Sequence, residues 1–348
     1  MGLSEHGTRA AIADFVARAA GARHATVLEL EALPGGTIQE NYRLELEITG
    51  GKFAGRQSLV LRTDSPSPVP VSLSRAQEFA VLTVAFAAGV TVAEPLWLCE
   101  DDTITGKAFH IMRRVSGSAS AHALVRAPLA EQAREALVAR LGGELARLHR
   151  IKPPVEALAL LPIAHPPAAL ARVAHYRKYL DALAKPQPVL EWGLRWLELH
   201  APSSDGPVLC HGDYRTGNYM VDDAELTGIL DWEFASWSDA YEDLSWFCAR
   251  CWRFGAWDQE AGGIGSRGAF YRGYQEVAGH EVDHARVAYW EVMAAVRWAI
   301  IALQQAERHL SGAQSSLELA LTGRMVPEMA HDMLVQIDQL EAPGGAHA

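Results

Sequence analysis

Leu209-Cys210-His211-Gly212-Asp213-Tyr214-Arg215-Thr216-Gly217-Asn218, followed after a short gap by Gly228-Ile229-Leu230-Asp231-Trp232-Glu233, decides the reading of this chain. An aspartate stands five residues before an asparagine, and a second aspartate ends an apolar run. That spacing suits phosphoryl transfer, in which a group carrying charge on three oxygens must be positioned and neutralised. Asp213 is the candidate base for the attacking hydroxyl. Asn218 and Asp231 offer oxygen ligands, the type a hard cation such as Mg²⁺ prefers. A carboxylate closing an apolar strand is costly unless it meets a cation, which strengthens the reading of Asp231.

Composition limits the alternatives. The chain has 348 residues, 49% apolar and 21% charged, which describes a folded globular protein and not a disordered one. A formal net charge of −11 argues against a nucleic-acid partner and against an anionic membrane surface. Nucleotide binding needs only a local positive cluster and stays open. Cys99, Cys210, Cys248 and Cys251 form no disulfide framework, and Cys248 and Cys251 lie in a Trp/Phe-rich run that reads as a buried helix with buried thiols. The first residues lack the basic and apolar segments of a signal peptide, and no run of about 18 apolar residues suggests a membrane span. The cytoplasm is the expected location.

Periodicity divides the chain in two. A helix is expected over 8–20, strands over 25–30, 41–48 and 57–62, a helix over 73–88, and strands over 93–99 and 108–112. A glycine turn (Gly35, Gly36) separates the first two strands, and a proline-rich break covers 65–70. Helical patterns then follow over 130–150, 166–184, 187–200, 240–253, 267–277, 283–310, 313–322 and 325–340, with a short strand over 226–230. The expected fold class is α+β: residues 1–115 as a small antiparallel-sheet lobe with one inserted helix, and 116–348 as a larger, mainly helical lobe. Gly263-Ile264-Gly265-Ser266-Arg267-Gly268 spells a dinucleotide fingerprint, but no strand precedes it and it lies within the helical lobe.

The layout from about residue 28 to 330 resembles the aminoglycoside phosphotransferase family, small-molecule kinases of the protein-kinase-like two-lobed fold. The likeness is strongest over 209–244. Shorter pieces agree: Leu59-Val60-Leu61-Arg62, Phe109-His110-Ile111-Met112 and Leu145-Ala146-Arg147-Leu148-His149. The resemblance implies an ATP- and Mg²⁺-dependent phosphotransferase acting on a hydroxyl of a small-molecule acceptor. It makes residues 1–115 the nucleotide-binding lobe, and 116–348 the lobe with the catalytic loop and acceptor site. It makes Asp213 the base, His211 an orienting residue of the catalytic loop, and Asn218 and Asp231 the metal ligands. Arg215, two residues from Asp213, projects to the same side and could grip the γ-phosphate.

Other nucleotide contacts follow from the same likeness. Arg62 stands where the kinase pattern has lysine, with Glu78 on the next helix as its partner. Gly35 and Gly36 fall in the phosphate-covering turn, and Met112 begins the hinge whose backbone meets adenine. Arginine keeps the charge of lysine but not its point geometry. The Leu-Arg variant looks like the branch found beside acyl-CoA dehydrogenases. Asp239 is given a role bracing the catalytic loop, or the equivalent duty of a helix cap. Glu233 could join the metal shell or the substrate site, or make a structural hydrogen bond. Candidate acceptors are an amino sugar, a hydroxyacyl thioester, or a choline- or homoserine-like metabolite. The competing reading is a catalytically weak nucleotide-binding regulatory protein of the same fold, motivated by Arg62 and the reduced glycine turn.

Overall fold

The computed structural model describes residues 6–33, 39–64, 72–165 and 167–342. Gly35 and Gly36, the proline-rich stretch 65–70 and the glycine-containing end of the chain lie outside them. The chain forms two compact units that interleave in sequence. The first comprises Met1–Ala119, Pro154–Leu161 and Asn218–Ala235; the second comprises Ser120–Pro153, Pro162–Gly217 and Ser236–Ala348. A single cut after residue 115 is therefore a coarser division than the contacts make.

The first unit is built on a five-stranded sheet of order β1-β2-β3-β5-β4, with all neighbours antiparallel: β1 (His24–Ala32), β2 (Gln39–Thr49), β3 (Gly55–Asp64), β4 (Pro95–Cys99) and β5 (Phe109–Arg113). Alternation sends Leu44, Leu46, Leu59, Leu61, Phe109 and Ile111 into one core, closed by Ile12 and Val16 of α1 (His6–Ala19). The opposite face carries Arg62, which lies across from Asn41 on one side and His110 on the other. Helix α2 (Arg75–Ala87) starts at a capping box, Ser74 with Gln77. Its buried Arg75 and Glu78 share a face with Leu82. The hairpin β7 (Tyr219–Asp222) and β8 (Glu225–Ile229) belongs to this unit and is tied to it by bridges Val92 to Ile229 and Ser118 to Val221.

The second unit is mainly helical: α3 (Ala121–Arg126), α4 (Glu131–His149), α5 (Ala168–Asp181), α6 (Pro188–Leu199), α7 (Ala240–Cys248), α8 (Arg267–Ala278), α9 (His284–Leu310), α10 (Leu317–Gly323) and α11 (Val326–Glu341). A short antiparallel pair, β6 (Val208–Cys210) and β9 (Ser236–Ser238), leads into the loop that carries His211, Asp213 and Arg215. Helices α4 and α8 meet at glycines: a Cβ on Gly142 would fall 2.1 Å from Phe270 O, and one on Gly273 would fall 1.9 Å from Ala139 O. Helix α9 has the length and hydropathy of a membrane-crossing helix, but 56% of its most apolar window is buried within the protein.

The helix expected over 240–253 is shorter than its pattern. It stops at Cys248, Ala249 turns extended, and Arg250–Trp252 form a separate 3-10 turn. Trp246, Trp252 and Ala294 close on one another there, so side-chain packing overrides a helical run that contains no breaker. Cys99, Cys210 and Cys248 are buried, while Cys251 is partly exposed. Burial pushes the Cys248 thiol up to about 12, so it is inert at neutral pH. The segment 263–268 lies in the helical unit and runs into the first residues of α8.

Candidate active site

In the first unit the sequence candidates meet around one guanidinium. Arg62 Nε lies 3.0 Å from Glu78 Oε1, and Arg62 Nη1 lies 3.0 Å from Asp231 Oδ1. Asn41 Oδ1 accepts a third contact at 3.3 Å. Glu78 is also bonded by Arg75, which reaches Asp64 at 2.8 Å. Arg62, Glu78 and Arg75 are buried, whereas the side chains of Asp64 and Asp231 are 37% and 39% exposed. Burial alone would lower the Arg62 pKa, but the carboxylates of Glu78, Asp231 and Glu233 outweigh it and raise it. Burial likewise pushes Glu78 up, and Arg62 and Arg75 bring it back below the usual carboxylate range.

Asp231 follows β8 and adopts a left-handed conformation, φ 59°. That turn takes its carboxylate off the end of an apolar strand and onto Arg62, the cation the sequence demands. Asn218 precedes β7, and Leu230 N–H donates to Asn218 O at 2.8 Å, so the two candidate metal ligands lie on adjoining backbone. An amide oxygen and a half-exposed carboxylate suit a hard divalent cation.

Glu233 is buried and accepts a hydrogen bond from Gln39 Nε2 at 2.9 Å. Burial raises its pKa to about 7, only partly offset by Gln39 and Arg62. Of its alternatives, the structural hydrogen bond is the contact observed. Met112 lies at the end of β5, paired with Val60, where the chain leaves the sheet.

In the second unit, His211, Asp213 and Arg215 lie on the loop after β6. Gly212 takes φ 78°, the tight left-handed turn that its missing side chain permits. The loop is pinned by α7: Asp243 accepts the N–H of His211 at 2.6 Å and of Gly212 at 2.9 Å. His149 Nε2 backs Asp243 at 3.3 Å, and Tyr274 holds the other ring nitrogen at 3.0 Å. The bracing role expected of Asp239 therefore belongs to Asp243. Asp239 caps α7 through Tyr241 N–H at 3.0 Å and pairs with Arg286 at 2.8 Å. The swap follows from geometry, because a residue before the helix reaches its free N–H groups and one in the first turn reaches outward.

His211 is fully buried, and its Nδ1 accepts from Asp213 N–H at 3.2 Å, an orienting contact. Asp213 itself is held at both oxygens. Oδ1 accepts from Trp246 Nε1 at 2.8 Å and Oδ2 from Arg215 Nε at 3.0 Å. The expectation that Arg215 shares a side with Asp213 holds. Its contact here is the carboxylate, with the guanidinium lying 4.5 Å over the Trp252 ring. Trp246 was not among the sequence candidates. Its only signal is its place three residues after Asp243, on one helix face.

Beyond Trp252, a cavity of about 250 Å³ is lined by Cys251, Phe254, Trp257, Trp298, Met325 and Met329 among others. Two of its carboxylates are already neutralised: Asp332 by Arg250 at 3.2 Å and Glu291 by Arg267 at 2.7 Å.

Comparison with known proteins places these features in context. The profile of the family described as phosphotransferase enzyme family matches residues 29–280. Acyl-CoA dehydrogenase family member 10 of Mus musculus is 27% identical over 205 residues, covering 57% of this chain and 18% of that protein. Acyl-CoA dehydrogenase family member 11 of Gallus gallus is 28% identical over 198 residues, covering 55% of this chain and 25% of that protein. The match spans a quarter or less of these relatives' length. A Ralstonia eutropha structure, provisionally named an aminoglycoside phosphotransferase, superposes with a TM-score of 0.74 at 20% identity, covering 94% of this chain and 98% of its own. That likeness shows the protein-kinase-like α+β fold.

Proposed function

The chain belongs to the phosphotransferase enzyme family, and from that premise we propose an ATP- and Mg²⁺-dependent small-molecule kinase that phosphorylates an acceptor hydroxyl. The observation that carries the reading is Asp213, a carboxylate fixed at both oxygens on a loop whose backbone α7 holds. A rigid, correctly aimed base is what in-line transfer requires of the protein.

In the proposed reaction the acceptor oxygen forms a bond to the γ-phosphorus, and the bond from that phosphorus to the β,γ-bridging oxygen breaks. The hydroxyl proton passes to Asp213, and ADP leaves. Mg²⁺ would be held by Asn218 and Asp231 and would offset charge on the phosphate oxygens. Arg62, fixed by Glu78, supplies positive charge to the nucleotide phosphates. Arg215 orients Asp213 and is the guanidinium we assign to the transferred group.

The acceptor class we favour is a hydroxylated acyl thioester. Two curated relatives are named for acyl-CoA dehydrogenase chemistry. The cavity beyond Trp252 is aromatic and thioether-lined, and arginines already pair two of the three carboxylates among its described lining residues, leaving only Glu328 to attract a polycation. The test is ADP release across a panel of hydroxyacyl thioesters, amino sugars and amino alcohols, with Asp213→Asn as control. Turnover should fall by ~10²-fold or more in the variant, with ATP affinity kept within about tenfold. Nucleotide binding without turnover on any acceptor would favour the regulatory reading instead.

A further inference from the structure

We infer that Trp246 is a positioning residue for the base, and that its indole N–H, not the bulk of its ring, sets the rate of transfer. The inference rests on Asp213 being the base.

The contact is direct. Trp246 Nε1 donates to Asp213 Oδ1 at 2.8 Å. Trp246 is 1% exposed, so the donor is sheltered from competing water while Asp213 keeps a partly exposed face. Three surfaces fix the indole. Its helix is anchored to the loop one turn earlier by Asp243. The Arg297 guanidinium lies 4.1 Å from the ring centre and also donates to Gly212 O, so one arginine clamps both the ring and the loop. The Trp252 ring meets its edge at 5.3 Å.

The chemistry of the donor matters as much as its place. An indole nitrogen donates and cannot accept, so it never competes for the proton that Asp213 is to take. A carboxylate has about four lone-pair sites, so Trp246 and Arg215 fix the plane of the group and leave capacity for a hydroxyl. The two donors are also unequal. Arg215 is partly exposed and stacked on Trp252, whereas Trp246 is locked in the helix, so rotation of the carboxylate is limited chiefly by the indole. Small misplacements of a base are expensive in rate, and the cost falls on turnover and not on nucleotide binding.

The experiment is steady-state kinetics of Trp246→Phe, which keeps an aromatic ring and removes the N–H. Trp290→Phe serves as the matched control, because Trp290 is equally buried and its Nε1 has no hydrogen-bond partner among the described residues. The expected result is a kcat at least tenfold lower in Trp246→Phe, an ATP KM within about twofold, and near-normal kinetics in Trp290→Phe. A kcat within twofold of the parent, or an equal loss in Trp290→Phe, overturns the role. Asp213→Asn is run alongside: if it stays active, the base assignment fails, and if it is inactive while Trp246→Phe is normal, only the role of Trp246 fails. Should Trp246→Phe not fold, the indole N–H resonances of the ten tryptophans decide. One signal should move far more than the rest between the parent and Asp213→Asn, and no such movement overturns the inference.

Discussion

Arg62 Nη1 lies 3.0 Å from Asp231 Oδ1, so a guanidinium in the middle of the sheet is ion-paired to the candidate metal ligand that ends β8. The same guanidinium holds Glu78 on α2. Separate guanidinium nitrogens meet the two carboxylates, a fork that an ammonium with its donors on one atom does not reproduce. Arg62→Lys should therefore raise the ATP KM by about tenfold while preserving the fold, measured by steady-state kinetics. Arg62→Met should in addition destabilise the protein by about 3 kcal/mol in urea unfolding, because buried Glu78 loses a partner. An unchanged ATP KM in Arg62→Lys would remove Arg62 from the nucleotide site.

Asp231→Asn tests the metal assignment. The amide keeps the size and tolerates the left-handed backbone, but it removes the charge. The Mg²⁺ concentration for half-maximal turnover should rise about tenfold or more. The same half-saturation in both proteins would transfer the metal role elsewhere.

His110 gives the pH dependence. It is fully buried opposite Arg62, and neither ring nitrogen has a hydrogen-bond partner among the described residues. Burial, with Arg62 and Arg75 adding to it against the pull of Glu78, lowers its pKa from 6.5 to about 4. A lowered histidine pKa means the folded state binds fewer protons than the unfolded one. Its contribution is whole above pH 6.5 and is lost as pH falls toward 4, by up to ~3 kcal/mol. His110→Phe, which still packs on Phe79, should make the unfolding free energy less steep across that window. Parallel curves for the two proteins would refute the assignment.

Gly273→Ala tests the α4–α8 contact. The added carbon would fall 1.9 Å from a backbone oxygen, so one helix must move off the other. The expected loss is about 1–3 kcal/mol, read as a lower Tm, with ATP KM unchanged. A Tm equal to the parent's would mean the helices have room to spare.

What could be read from sequence follows the length of each signal. Helix α2 was legible as a helical stretch over 73–88, but its start at the Ser74–Gln77 capping box was read only in the structure. The strands β1, β2 and β3 run nine to eleven residues and alternate clearly. Strands β6, β7 and β9 are three or four residues long, too short for a period to show. Asp213, Asn218 and Asp231 were legible because one loop and one hairpin carry them close in sequence. Trp246 and Arg297 were not, because they reach Asp213 and Gly212 only through the packing of α7 and α9. The interleaving of the two units is likewise a property of contacts, and no local pattern announces it.

The backbone at Asp231 carries a wider implication. A non-glycine residue at φ 59° stores roughly 1 kcal/mol that glycine would release. Glycine would also leave the buried Arg62 guanidinium short of one carboxylate, a larger loss than the strain it relieves, so the ion pair holds an acidic residue in a backbone conformation it would otherwise leave. At residue 231 ruggedness and chemistry therefore ask for the same carboxylate.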